Sequence, residues 1–289
     1  MLQKANPREG FFQSQRLNLH YVEWGRDGAD PVLLVHGFRD HCRSWDFVAR
    51  ALESNYHIFA VDLRGHGDSD WNNSGTYCLD DHIYDLHTFI DRLGLTDLSI
   101  ISHSMGGAVS LSLAGLFPNR IKRLIAIEGM WELERPIKQV KDDERFHGWI
   151  RQLDSLSKRA PVAMRSLEAA ECKFKARHSR LSSELIHHLT SHAVRRNVDG
   201  TLTWKHDPSV QARASGHYDR AAIIALWQRI TCPVLLVHGS ESEMSDPRTL
   251  GFDRYFQRCQ TAIVNGANHW VHHDKLDDFL ALAREALSG

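Results

Sequence analysis

Three stretches of this sequence hold residue types at spacings that acyl-transfer chemistry requires. In residues 98–108, LSIISHSMGGA, an apolar run leads into Ser102-His103-Ser104-Met105-Gly106-Gly107, and small helix-compatible residues follow at once. An apolar strand, a sharp turn with a serine at its apex and then a helix make a nucleophile elbow. Small side chains are needed two positions before and after the serine, because the strand and helix backbones converge there, and Ser102 and Gly106 meet that need. Ser104 is the candidate nucleophile; the plainer alternative is a serine that only caps an ordinary helix. In the second stretch, Val35-His36-Gly37-Phe38, a tight turn after an apolar run can aim the Phe38 N–H at the serine. With the N–H of Met105 it would form an oxyanion hole, each donor worth ~2.7–4 kcal/mol in the transition state. His36 itself reads as structural. The third stretch, Asn265-Gly-Ala-Asn-His269-Trp270, places His269 between the last apolar run and the last helical pattern, where a general base arriving last in chain order belongs. Because the chain has 19 histidines, position and not residue type singles out His269; His272 and His273 read as surface residues.

The elements that must position these groups are legible as short apolar runs at 31–35, 58–61, 98–101, 124–127, 234–237 and 261–264. Each is four or five residues long and nearly all apolar, as strands buried on both faces are. Residues 17–24 alternate and predict an antiparallel edge strand. Helical patterns cover 45–54, 79–93, 105–117, 246–257 and 276–287, so the expected fold is α/β, a mostly parallel sheet with helices on both faces. The rhythm breaks between Trp131 and about Ile230. From 132 to 180, 20 of 49 residues are charged, against 25% in the whole chain, so this stretch is expected to carry a solvated face. Helical character at 146–156, 160–172 and 183–196, with a turn signal at Asp199-Gly200, makes 131–230 an inserted helical cap. The core is then 1–130 together with 231–289.

Composition narrows the partners. Lys+Arg 35 against Asp+Glu 36 leaves a net charge of −1, without the basic footprint of a nucleic-acid or anionic-membrane binder. No run approaches the ~20 apolar residues of a membrane span, and the start, MLQKANPREG, lacks a signal-peptide apolar core. Five scattered cysteines without CxxC spacing read as reduced thiols of a cytoplasmic protein, with no metal and no cofactor expected. Self-association stays open.

With His36-Gly37-Phe38, Asp62-Leu-Arg-Gly-His-Gly-Asp-Ser69, Ser104-Met-Gly-Gly107, the cap-length insertion and Gly266-Ala-Asn-His269 in view, the chain resembles the α/β-hydrolase fold superfamily. The resemblance gives Asp62–Ser69 a structural role beside the site. It also implies an acid three residues after Gly239, where this chain has Ser242, which has no carboxylate to orient a base. Glu241, Glu243 and Asp246 lie off register. Glu128, at the end of the run LIAIEG, matches the glutamate some haloalkane dehalogenases of the superfamily use, and a carboxylate there is poorly solvated unless paired. Glu128 is the favoured third member, with the three later carboxylates as alternatives. Haloalkane dehalogenases and epoxide hydrolases carry aspartate at the elbow; a serine there implies an acyl-enzyme and hydrolysis of an ester or lactone. Meta-cleavage C–C hydrolysis is the second enzymatic reading. A non-catalytic receptor or scaffold is the third. Met130, Trp131, Phe146, Trp149, Phe174 and Trp204 are candidate pocket walls, which favours a small hydrophobic ester-like substrate.

Overall fold

The structure is a computed structural model and describes residues 6–74, 76–130, 142–158, 162–212 and 219–289. Trp131 lies outside these residues. The apolar runs become the strands of one eight-stranded sheet: β1 Arg8–Ser14, β2 Leu17–Trp24, β3 Asp30–Val35, β4 Tyr56–Val61, β5 Leu98–His103, β6 Ile121–Ile127, β9 Val234–Gly239 and β10 Cys259–Val264. Their order is β1-β2-β4-β3-β5-β6-β9-β10. Only β2 runs against the others: it pairs antiparallel with both β1 and β4, and all remaining pairs are parallel.

Alternation along the central strands accounts for the two covered faces. Leu33 and Val35 of β3 join a core with Phe89 and Trp227. Val32 and Leu34 join the opposite core with Trp45 and Phe279. The covering helices are α1 Asp46–Leu52, α2 Leu79–Arg92, α3 Met105–Leu116, and, after β10, α8 Val271–Asp274 and α9 Leu276–Ser288. The chain leaves β3 for β4 on one side and returns from β4 to β5 on the other. The carboxyl ends of β3 and β5 therefore flank the point where strand order reverses, which is where open α/β sheets bind ligands.

Between β6 and β9 the described residues form α4 Asp142–Ser157, α5 Leu167–Lys175, α6 Ser183–Ala193 and α7 Arg220–Gln228, with a small hairpin of β7 Val194–Arg196 and β8 Leu202–Trp204. Ser166 and Ser182 cap α5 and α6 through their side chains.

Three expectations need correction. Residues 17–24 are not the edge, because β1 pairs outside them. Residues 246–257 do not form an α-helix but turns and a short 3-10 segment at Asp253–Tyr255. There Asp246 Oδ1 accepts the Arg248 N–H at 2.9 Å and Gly251 adopts φ +63°, so local turn chemistry overrides the helical spacing. The run 183–196 is helical only to Ala193, after which β7 pairs with β8.

The sheet's carboxyl edge is rich in buried histidine. Burial lowers His36 to about 4, and lowers His41 and His66 to about 3 each. These rings are neutral when folded, whereas the unfolded chain protonates them below the ordinary value of 6.5. Stability from this source is complete above pH 6.5 and declines as the pH falls toward 4. Each ring contributes a slope of up to ~1.4 kcal/mol per pH unit. A series of thermal melts should show Tm falling steeply between neutral pH and pH 5; a flat profile across that interval would contradict the neutral-core assignment.

Candidate active site

Ser104 sits between β5 and α3 with φ 50° and ψ −117°, a conformation that L-residues adopt at a cost on the order of 1–3 kcal/mol. Surrounding contacts hold it there: the Ser104 N–H donates to Ile127 O at 2.8 Å, and Ser104 O accepts from Gly107 N–H at 2.9 Å. Small residues are required on both sides. Ser102 is fully buried and donates to Ile125 O at 3.2 Å. A Cβ on Gly106 would lie 2.5 Å from His36 O and 2.6 Å from Val35 O, both backbone atoms. Gly106→Ala should cost ~1–3 kcal/mol through overpacking and lower Tm by several degrees in a melt; an unchanged Tm would refute the close approach.

His36 serves the turn. Its Nδ1 donates to Gly37 O at 2.7 Å and its Nε2 accepts from the Leu63 N–H at 3.0 Å. The Asp62–Ser69 segment packs beside it, held by Asp62, whose Oδ2 accepts from His20 at 2.7 Å and whose Oδ1 accepts from the Cys42 N–H at 2.7 Å. Phe38 follows this turn. Met105 opens α3, so its N–H is one of the amides with no acceptor inside the helix.

Glu128 ends β6 in the left-handed region, φ 51°. Its side chain is wholly buried and accepts four hydrogen bonds. Oε2 takes His269 Nδ1 at 3.0 Å and the Ser242 hydroxyl at 2.6 Å. Oε1 takes the Gly239 N–H at 2.9 Å and His238 Nδ1 at 2.8 Å. Burial alone would raise its pKa, but the bonds from His238, His269, Ser242 and Gly239 outweigh it and hold the carboxyl at about 2. The three alternative acids are elsewhere: Glu241 pairs with Arg180, Asp246 with Arg248, and Glu243 is exposed.

His269 and Ser104 line one cavity of about 330 Å³. Among the described residues no direct hydrogen bond joins the two side chains; catalytic hydrogen bonds of this kind often tighten only when substrate binds. The cavity walls include Phe174 and Trp204 from the insertion, as anticipated, and also Phe38 and Trp270. Trp270 stacks on His178 with ring centroids 4.3 Å apart, which ties the insertion to the His269 loop. Met130 is buried in the core, and Phe146 is 45% exposed. Trp149 does not line the cavity.

Two site histidines escaped the sequence reading. His238 is hidden because the apolar run stops at Val237, although a histidine continuing a buried strand must find a polar partner. His103 precedes the serine and is buried; its Nε2 donates to His269 O at 3.0 Å and so fixes the backbone of the histidine loop. Nor are His272 and His273 exposed: His272 is buried and stacks on Trp45 at 4.4 Å, His273 is half-buried, and burial lowers both, His273 to about 3. No helix among the described residues is long and apolar enough to cross a membrane.

A strained serine at the switch point of a doubly wound α/β sheet thus shares a cavity with a histidine held by a buried carboxylate. The chain belongs to the α/β hydrolase fold family, whose profile matches residues 30–276. It is 25% identical over 279 residues to Epoxide hydrolase 2 of Caenorhabditis elegans, covering 92% of this chain and 76% of that one. To Lipase 1 of Psychrobacter immobilis it is 24% identical over 273 residues, covering 89% and 77%. In fold it resembles a solved thioesterase domain from the curacin biosynthetic pathway, with a TM-score of 0.86, 21% identity and coverage of 97% of this chain and 100% of that one.

Proposed function

We propose that this protein is a serine hydrolase that cleaves a carboxylic ester or lactone through an acyl-enzyme on Ser104. The observation that carries the reading is the strained Ser104 turn facing the cavity that His269 also lines. In this mechanism Ser104 Oγ attacks the carbonyl carbon while His269 Nε2 takes the hydroxyl proton. Glu128 keeps the other ring proton on Nδ1 and stabilises the imidazolium that forms. The Phe38 and Met105 amides receive the oxyanion. Collapse expels the alcohol, which leaves with the proton from His269. Water, deprotonated by His269, then attacks the acyl carbon and releases the acid.

A serine at the apex, where an alkylated carboxylate would need aspartate, supports acyl transfer over the epoxide opening named in one relative. The α4–α7 insertion, which contributes Phe174 and Trp204 to the cavity, is assigned as the lid over Ser104. All five cysteines are free, in keeping with a cytoplasmic enzyme. The test is a substrate panel of p-nitrophenyl esters of graded chain length, lactones and vinylogous diketones. Turnover of esters or lactones, with a p-nitrophenol burst equal to the enzyme concentration, is expected. Turnover confined to the diketones would favour C–C cleavage, and none in any class would favour the receptor reading.

A further inference from the structure

The cavity beside Ser104 carries charge of one sign. Arg39 reaches it from the loop after β3 and Arg177 from the turn after α5, and none of the described lining residues is acidic. Arg64 and Arg43 are ion-paired, Arg64 Nε with Asp85 at 2.6 Å and Arg43 Nη2 with Asp46 at 2.8 Å. Arg39 lines the cavity with no such pair among the described residues. Its Nε is buried with no hydrogen-bond partner among the described residues, and its guanidinium lies over the Phe38 ring at 5.1 Å. Arg39 also occupies the left-handed region, φ 57°, directly after the Phe38 amide. A strained residue whose half-buried cation lacks an anion is costly, and such arrangements cluster where a ligand supplies what is missing. Arg177 lines the same cavity, and its like charge, after burial, lowers the pKa of Arg39.

We propose that Arg39 and Arg177 form a carboxylate subsite, so that the substrate is a small ester or lactone bearing a free carboxylate. This rests on the serine-hydrolase reading and names its substrate class. The planar guanidinium of Arg39 matches a carboxylate through paired N–H···O bonds. The aromatic walls hold the apolar part of the molecule. The hydrophobic ester anticipated from the sequence thereby gains an acidic end.

Two matched probe pairs test this, one with the charge on the alcohol side and one with it on the acyl side. They are 4-acetoxybenzoate against its methyl ester, and monoethyl glutarate against ethyl valerate. The ratio of kcat/KM, charged over neutral, should exceed tenfold in at least one pair. Arg39→Gln should lower that ratio ten- to a hundredfold, and Arg39→Lys should restore part of it. Arg177→Gln, altering an exposed side chain, should lower it by a smaller factor and covers the case in which Arg39→Gln does not fold. Ratios near one in both pairs, or ratios unmoved by Arg39→Gln and Arg177→Gln alike, would overturn the subsite. Titration of the Ser104→Ala protein with 4-acetoxybenzoate reads binding without chemistry. Binding that weakens tenfold or more on adding Arg39→Gln upholds the subsite even if the wild type turns over neither ester. In that event only the serine-hydrolase reading fails.

Discussion

Ser104→Ala is expected to lower kcat for ester hydrolysis by about 10⁴- to 10⁶-fold, the scale on which loss of a serine nucleophile is felt. The expectation follows from the elbow geometry. Ser104 lines the cavity, whereas its neighbours are already committed: Ser102 is fully buried, and His103, which also borders the cavity, donates to His269 O. Alanine tolerates the same backbone contacts, so the melting temperature should be unchanged or slightly higher, since no contact of the hydroxyl is lost. Steady-state kinetics with a short p-nitrophenyl ester, alongside a thermal melt, give both readings. Activity within tenfold of wild type in a folded variant would remove Ser104 from the chemistry.

Glu128→Gln should slow kcat by about 10³- to 10⁴-fold, because an amide in this place can present its N–H₂ to His269 and favour the wrong tautomer. The loss should far exceed that from Glu241→Gln, Glu243→Gln or Asp246→Asn, whose side chains pair with surface arginines or face solvent. Some stability will go too, because the carboxylate held at about 2 is ionised when folded and accepts four hydrogen bonds. The sign is fixed: with its folded pKa below the ordinary 4.5, Glu128 stabilises the fold fully above pH 4.5 and loses that contribution as the pH falls toward 2. Placing an acid at the superfamily's usual position tests the geometry. Because Ser242 Oγ already lies 2.6 Å from Glu128 Oε2, Ser242→Asp in the Glu128→Gln background should recover at least tenfold of the lost rate. Comparable losses for Glu128→Gln and Glu241→Gln would show that the acid is misassigned.

What the sequence discloses follows from how local each cause is. Ser104 and the β5–turn–α3 unit are legible because the strand, apex and small residues are contiguous. Glu128 is legible at one remove: a carboxylate closing an apolar run needs a partner, and Ser242 leaves a vacancy for an acid. His238 depends on pairing that links residues 111 apart through Gly239 and Glu128, which no local pattern reports. β1 is missed because its burial does not alternate cleanly, reading REGFFQS with only Phe12 and Ser14 buried. β7 and β8, three residues each, are too short for periodicity to register. The two cavity arginines are a tertiary fact as well, since Arg39 and Arg177 come from distant segments and come together only in the cavity lining.

The most direct measurement is mass spectrometry of the intact protein after treatment with a fluorophosphonate, followed by peptide mapping. One adduct per chain is expected, on Ser104, formed fast in the wild type, slowly in His269→Ala and not at all in Ser104→Ala. A wild-type protein that stays unlabelled, or that carries the adduct on another residue, would contradict it.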